Sequence, residues 1–200
     1  MKIGIVHFVP AISLIIGGLV KAEVPTNTGR WAGSSQHVVI QNNMPAACDA
    51  PLMSAIGTVN GVGAIWEFIH SSTDFSTSYD TQIDTGLTQI EDGVLPSDVP
   101  AQTVLKYSDS TETTIIGTAT RINRNELFYG PDNSGDFSCT GPLGLAQLDY
   151  QSIITHELGH VIGLNHVSDP SEVMYPYVDR GSTKYYFQPD EQYKIQSLYP

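Results

Sequence analysis

The sequence predicts a single α+β domain. Three observations carry this. Short β-branched and aromatic segments with one helical stretch occupy the chain before residue 145, two helical patterns follow, and 200 residues suffice for only one sizeable core.

Residues 1–22 read as a cleavable secretory signal. Lys2 supplies the positive start, the stretch to Val20 is mostly apolar, and Val20, Lys21 and Ala22 form a small-residue exit. The competing reading, a membrane anchor or buried helix, is opposed by Pro10 and the Gly17-Gly18 pair. Residues 23–35 are polar and rich in Gly and Thr, and read as a flexible mature N-terminus ahead of the domain proper, 36–200.

Residues 37–41 are a β-branched run ending at Asn42 and Asn43, hence a strand and turn. Asp49 and Pro51 then stand where an N-cap and first turn belong. Leu52, Ile56, Val59, Ala64, Ile65 and Phe68 continue with helical spacing, weakened by Gly57, Gly61 and Gly63. Residues 75–79 and 103–107 are expected strands, separated by turn formers such as Asp92-Gly93 and Pro96. The runs 113–122 and 126–129 flank Asn123, Arg124 and Asn125 as a hairpin would, and 131–144 is a Gly-, Pro-, Asp- and Ser-rich loop. Asp149 can cap a helix carrying Ile153, Ile154, Leu158, Val161 and Ile162 on helical spacing. Residues 188–198 form the last helix, with Pro189 in its first turn and Ile195 and Leu198 inward.

Hydrophobic residues at 40% and charged residues at 15% suit a soluble globular protein. A formal charge of -12 disfavours nucleic acid and anionic membrane surfaces as partners. After removal of 1–22 no stretch is long and apolar enough to span a bilayer, so no membrane partner is expected, and the chain is expected to be monomeric.

The chemistry lies in residues 156–166, HELGHVIGLNH. His156 and His160 stand one helical turn apart, so both imidazoles leave the same face. Gly163 follows where a glycine can take the left-handed conformation that ends a helix, and the turn returns His166 as a third ligand. Three neutral imidazoles suit Zn²⁺ and leave a fourth position for water, the mark of a catalytic zinc. Glu157, beside the first ligand, is the candidate general base. A bare HExxH arises by chance in up to about one chain in a hundred of this size, and Gly163 with His166 makes an accidental helix roughly a thousandfold rarer still. A zinc-holding binding protein is the rival from another class. Glu157 speaks against it, because a binder needs no base.

Cys48 and Cys139 fit one disulfide in an oxidising compartment, which could add about 4 to 5 kcal/mol by restricting the unfolded chain. A free thiol pair, or one cysteine as a reversible zinc ligand, are the alternatives.

HELGHVIGLNH followed by Met174 in VMYPY resembles the metzincin metallopeptidases and, within them, the matrixins. The resemblance implies a zincin fold, with a twisted, mostly parallel sheet and an antiparallel edge strand packed on the active-site helix, plus a C-terminal helix. It makes 36–200 a metallopeptidase catalytic domain. Met174 would form an apolar floor under the imidazoles, and Pro176 and Tyr177 would wall the pocket for the side chain after the scissile bond. By element order the edge strand is 126–129, which would bind an extended peptide by strand addition. Val167 stands where matrixins usually carry Ser, and neither a PRCGVPD-type cysteine switch nor the family's histidine-rich stretch is present. His37 and His70 are isolated, and read as ordinary surface or core residues. Asp132, Asn133 and Asp136 offer oxygen ligands for Ca²⁺ without a full EF-hand pattern. The expectation is a secreted zinc endopeptidase acting on extended protein or peptide segments, extracellular, at the cell surface or in the periplasm.

Overall fold

The computed structural model describes residues 29–31, 37–64, 66–71, 79–80, 83, 86–96, 99–108, 113–125, 139, 141 and 143–200. Its strands are β1 (Arg30–Trp31), β2 (His37–Asn43), β3 (Glu67–Ser71), β4 (Leu87–Gly93), β5 (Ala101–Tyr107) and β6 (Thr114–Asn123). Its helices are α1 (Asp49–Asn60), α2 (Tyr150–Val161) and α3 (Pro189–Leu198). The signal segment 1–22, the calcium candidates Asp132, Asn133 and Asp136, and residues 126–129 lie outside the described residues.

β3, β2, β4 and β6 lie side by side and parallel, and β1 adds to β6 in parallel at Thr114 and Ile115. Parallel neighbours need a crossover, and α1 supplies it between β2 and β3. β5 alone runs antiparallel, because the short connection from Tyr107 to Thr114 allows no crossover. Among the described residues it pairs only with β6.

Among the described residues the antiparallel strand is β5, which precedes β6, and the strand expected at 126–129 lies outside them. Asn123 serves two connections. Its side-chain amide reaches back to the carbonyls of Leu95, Pro96 and Val99, and its oxygen accepts from the Leu95 amide. The residue expected to shape the loop after β6 does accept from the Asn125 N–H there, and it also holds the connection between β4 and β5.

Three strands were not expected, β1, β3 and β4. β4 reads as polar, yet Thr88, Gln89 and Glu91 are buried. Thr118 donates to Thr88 across the sheet, and the Arg121 guanidinium pairs with Glu91 and Asp80. β3 lies inside the stretch expected to be helix, because α1 stops at Asn60. The Asn60 amide pins that stop to the next strand, accepting from the Phe68 N–H at 2.9 Å and donating to its carbonyl at 3.1 Å.

The helices cover one face of the sheet. Ile40, Ile90, Leu105, Ile115 and Ile122 meet Leu52, Ile56 and Val59 of α1 and Ile154, Leu158 and Val161 of α2 in one core. Alternation along β5 sends Val104 to the opposite face, where it packs with Ile83, Ala119 and Tyr79. Tyr79, in a turn, is the one described residue of the expected strand 75–79.

Within the segment expected to be a flexible N-terminus, Gly29 to Trp31 is docked. Trp31 is 3% exposed, its indole N–H donates to the Val161 carbonyl at 2.7 Å, and its backbone N–H donates to the Tyr199 hydroxyl. That hydroxyl in turn donates to the Ile162 carbonyl. Cys48 and Cys139 form a disulfide with a Cα–Cα distance of 4.8 Å, joining the start of α1 to the segment before α2. No helix among the described residues is long and apolar enough to cross a membrane.

Candidate metal centre and active site

The site begins at the α2 cap. Asp149 accepts from the Ser152 N–H at 2.7 Å, satisfying a helix-start donor, and α2 then runs through His156, Glu157 and His160. The helix ends by tightening, with Gly163 donating to the His160 carbonyl and Leu164 to that of Gly159. Gly163 has φ +93°, and a Cβ there would also strike the Gly29 carbonyl oxygen. Glycine is thus required twice, for the backbone conformation and for the passing N-terminal strand.

The turn brings His166 back over the helix. Its Nε2 lies 3.2 Å from that of His156 and 3.0 Å from that of His160. Among the described residues this is the one group of three histidine, cysteine or acidic side chains placed to hold a metal. Tetrahedral zinc with nitrogen ligands at about 2.0–2.1 Å separates them by roughly 3.3 Å, so the three atoms fit that ion.

The other ring nitrogens support the fit. Nδ1 of His156 donates to the Val173 carbonyl at 2.7 Å and Nδ1 of His160 to the Leu164 carbonyl at 2.8 Å. A carbonyl only accepts, so the proton sits on Nδ1 and the Nε2 lone pair points at the common centre. Burial, reinforced by the neighbouring His166, holds the His156 imidazole down to about 4. Burial also lowers His160, well below the usual range, and His166. All three rings are neutral at neutral pH, the form that binds a metal.

Glu157 is 5% exposed. Burial pushes its carboxyl up to about 7, against the pull of a hydrogen bond from Thr103 on β5, 2.6 Å away. A carboxyl poised there can take up and return a proton near neutrality.

Met174 is fully buried, and its sulfur lies where a Cβ on Gly159 would sit, so the glycine inside HELGH makes room for it. Its N–H donates to the Glu191 carboxylate at 2.7 Å, while the carbonyl of the same peptide unit, from Val173, receives His156. Glu191 also accepts from the Gln188 N–H, tying the start of α3 to this turn. Val167, the departure from the family's usual Ser, is buried and donates its backbone N–H to the Met174 carbonyl. Tyr177 is half exposed and its ring meets Tyr175 edge-on, with Pro176 between them. His70 lies on β3, away from the triad.

Thr103, Gly159 and Glu191 were not singled out from the sequence. Gln188 and Glu191 stand in a cap-and-third-residue spacing that marks a helix start, a signal for Glu191. Thr103 lies 54 positions from Glu157 and carries no local signal.

The comparisons agree with this geometry. Over 53 residues the chain is 45% identical to matrilysin of Felis catus, covering 26% of this chain and 20% of that protein. It is 39% identical over 54 residues to metalloendoproteinase 2-MMP of Arabidopsis thaliana, covering 27% and 14%, and 40% identical over 52 residues to 4-MMP of the same plant, covering 26% and 15%. Each match spans a fifth or less of the relative's length. The matrixin profile matches residues 67–200, from the first residue of β3 through the triad, the Met174 turn and α3. A match over most of the chain, on the elements that build the metal centre, places this chain in the matrixin family.

Proposed function

We propose that this chain is a secreted zinc-dependent endopeptidase with His156, His160 and His166 as ligands and Glu157 as general base. The observation that carries this reading is the convergence of the three Nε2 atoms beside a nearly buried carboxylate. The Arabidopsis relatives bear the name metalloendoproteinase, in keeping with it.

Zinc, when bound, supplies Lewis acidity that polarises the scissile carbonyl and acidifies a water. The protein's own groups do the rest. Glu157 takes a proton as the water oxygen attacks the carbonyl carbon, and gives it to the amine nitrogen as the C–N bond breaks. The Nδ1 bonds of His156 and His160 keep their rings aimed. The edge of β5 around Thr103 offers main-chain groups to an extended peptide by strand addition. Met174 is the floor, and Pro176 and Tyr177 wall the pocket for the side chain after the scissile bond. Residues 1–22 act as the export signal and 36–200 as the catalytic domain. Its substrates are extended protein segments, with no nucleic acid or membrane partner, and it acts as a monomer.

The test is cleavage of an unstructured protein by the zinc-loaded mature chain, with and without chelator, beside Glu157→Ala. Loss of the base should lower kcat by about a hundredfold to ten-thousandfold with zinc retained. Equal cleavage by the variant refutes the assignment of Glu157.

A further inference from the structure

We infer that Thr103 is a positioning residue that anchors one oxygen of Glu157 and leaves the other to carry the proton. This deepens the proposed function and rests on Glu157 being the base.

Thr103 and Thr120 face each other across β5 and β6, on the face where α2 packs. Their hydroxyl oxygens are 2.8 Å apart, and the Thr103 oxygen is 2.6 Å from Glu157 Oε2. Proton counting gives the direction. A hydroxyl has one hydrogen, and an ionised carboxylate can only accept. Thr103 therefore commits its hydrogen to Glu157, and the bond between the threonines must be donated by Thr120. The result is a one-way chain from Thr120 through Thr103 to Oε2.

This chain makes the two carboxylate oxygens unequal. Oε2 already holds a hydrogen bond, while Oε1 makes none among the described residues. The oxygen that takes and returns the proton is Oε1, and Thr103 stops the carboxylate from rotating to exchange the two. Thr103 also belongs to the strand proposed to align the substrate. One segment thus sets the register of the peptide through its backbone and the orientation of the base through a side chain.

The experiment compares Thr103→Val, Thr103→Ser, Thr120→Val and Glu157→Ala as zinc-loaded full chains on an unstructured protein substrate. It measures kcat and KM separately, zinc affinity by chelator competition, and Tm without metal. Thr103→Val keeps the shape and the backbone edge, so kcat should fall roughly tenfold to a hundredfold, as for a lost bond to a charged group, with KM, zinc affinity and Tm near wild type. Thr103→Ser should recover most of the rate. Thr120→Val should cost only about threefold, since Thr103 can still donate. Wild-type kcat in Thr103→Val beside an inactive Glu157→Ala overturns the inference alone. A fully active Glu157→Ala overturns the reading beneath it. If Thr103→Val loses zinc affinity or Tm along with its rate and Ser fails to rescue it, the role is structural and the inference is wrong.

Discussion

Two regions face the candidate metal centre and are built differently. The segment from Asp149 to Met174 supplies all three imidazoles and Glu157 within one helix and one turn, so its geometry follows from local rules of spacing, capping and glycine conformation. The sheet edge at β5 and β6 supplies no proposed metal ligand. It supplies Thr103 and Thr120, which reach Glu157 only because tertiary packing brings β5 against α2. Local sequence therefore sets which atoms bind, and distant sequence sets how they are held.

The comparison can be broken most severely at a ligand. His160→Ala should weaken zinc binding by well over about a hundredfold, more than loss of a residue that merely supports a ligand, while the sheet keeps its structure. Zinc titration followed by far-UV circular dichroism checks both halves of that statement, and a collapse of the sheet would contradict it.

Next in size is the brace between the N-terminal strand and the end of α2. Trp31→Ala removes a buried indole and its bond to Val161, and should cost about 3 to 5 kcal/mol in chemical denaturation. A cost below about 1 kcal/mol would show that β1 is not part of the fold's support.

Gly163→Ala is the smaller perturbation, and it sharpens the boundary between the regions. Strain at φ +93° should destabilise by about 1 to 3 kcal/mol, and the clash with Gly29 should displace β1. Hydrogen exchange at Arg30 and Trp31 reads that displacement directly. Protection equal to wild type would mean the N-terminal strand is not packed against this turn.

What could be read from the sequence follows the same division. The triad, the Asp149 cap and the final helix lie in periodic, well-punctuated segments, and the α+β class and the parallel sheet expected from the family resemblance are found. β4 was illegible because, Ile90 apart, its buried side chains are polar. Thr88 and Glu91 look like loop residues until Thr118 and Arg121 are placed opposite them. β3 was absorbed into a helical pattern because the stop signal is the side chain of Asn60, whose partner comes eight residues later. β5 was legible as a strand but not as the antiparallel one, because its connection from β4 is held by Asn123, whose bonds reach Leu95, Pro96 and Val99. In each case the missing information was a partner distant in sequence, as it was for Thr103.

The central claim is that the three histidines hold one zinc that the chain needs for peptide-bond hydrolysis. Its most direct test adds zinc stepwise to chelator-stripped protein and measures bound metal and cleavage together, beside a variant with His156, His160 and His166 all changed to Ala. The account predicts that cleavage rises in proportion to bound zinc, saturates at one ion per chain, and that the variant neither takes up this ion nor cleaves. Full cleavage by the stripped protein, or undiminished zinc uptake by the variant, would contradict it.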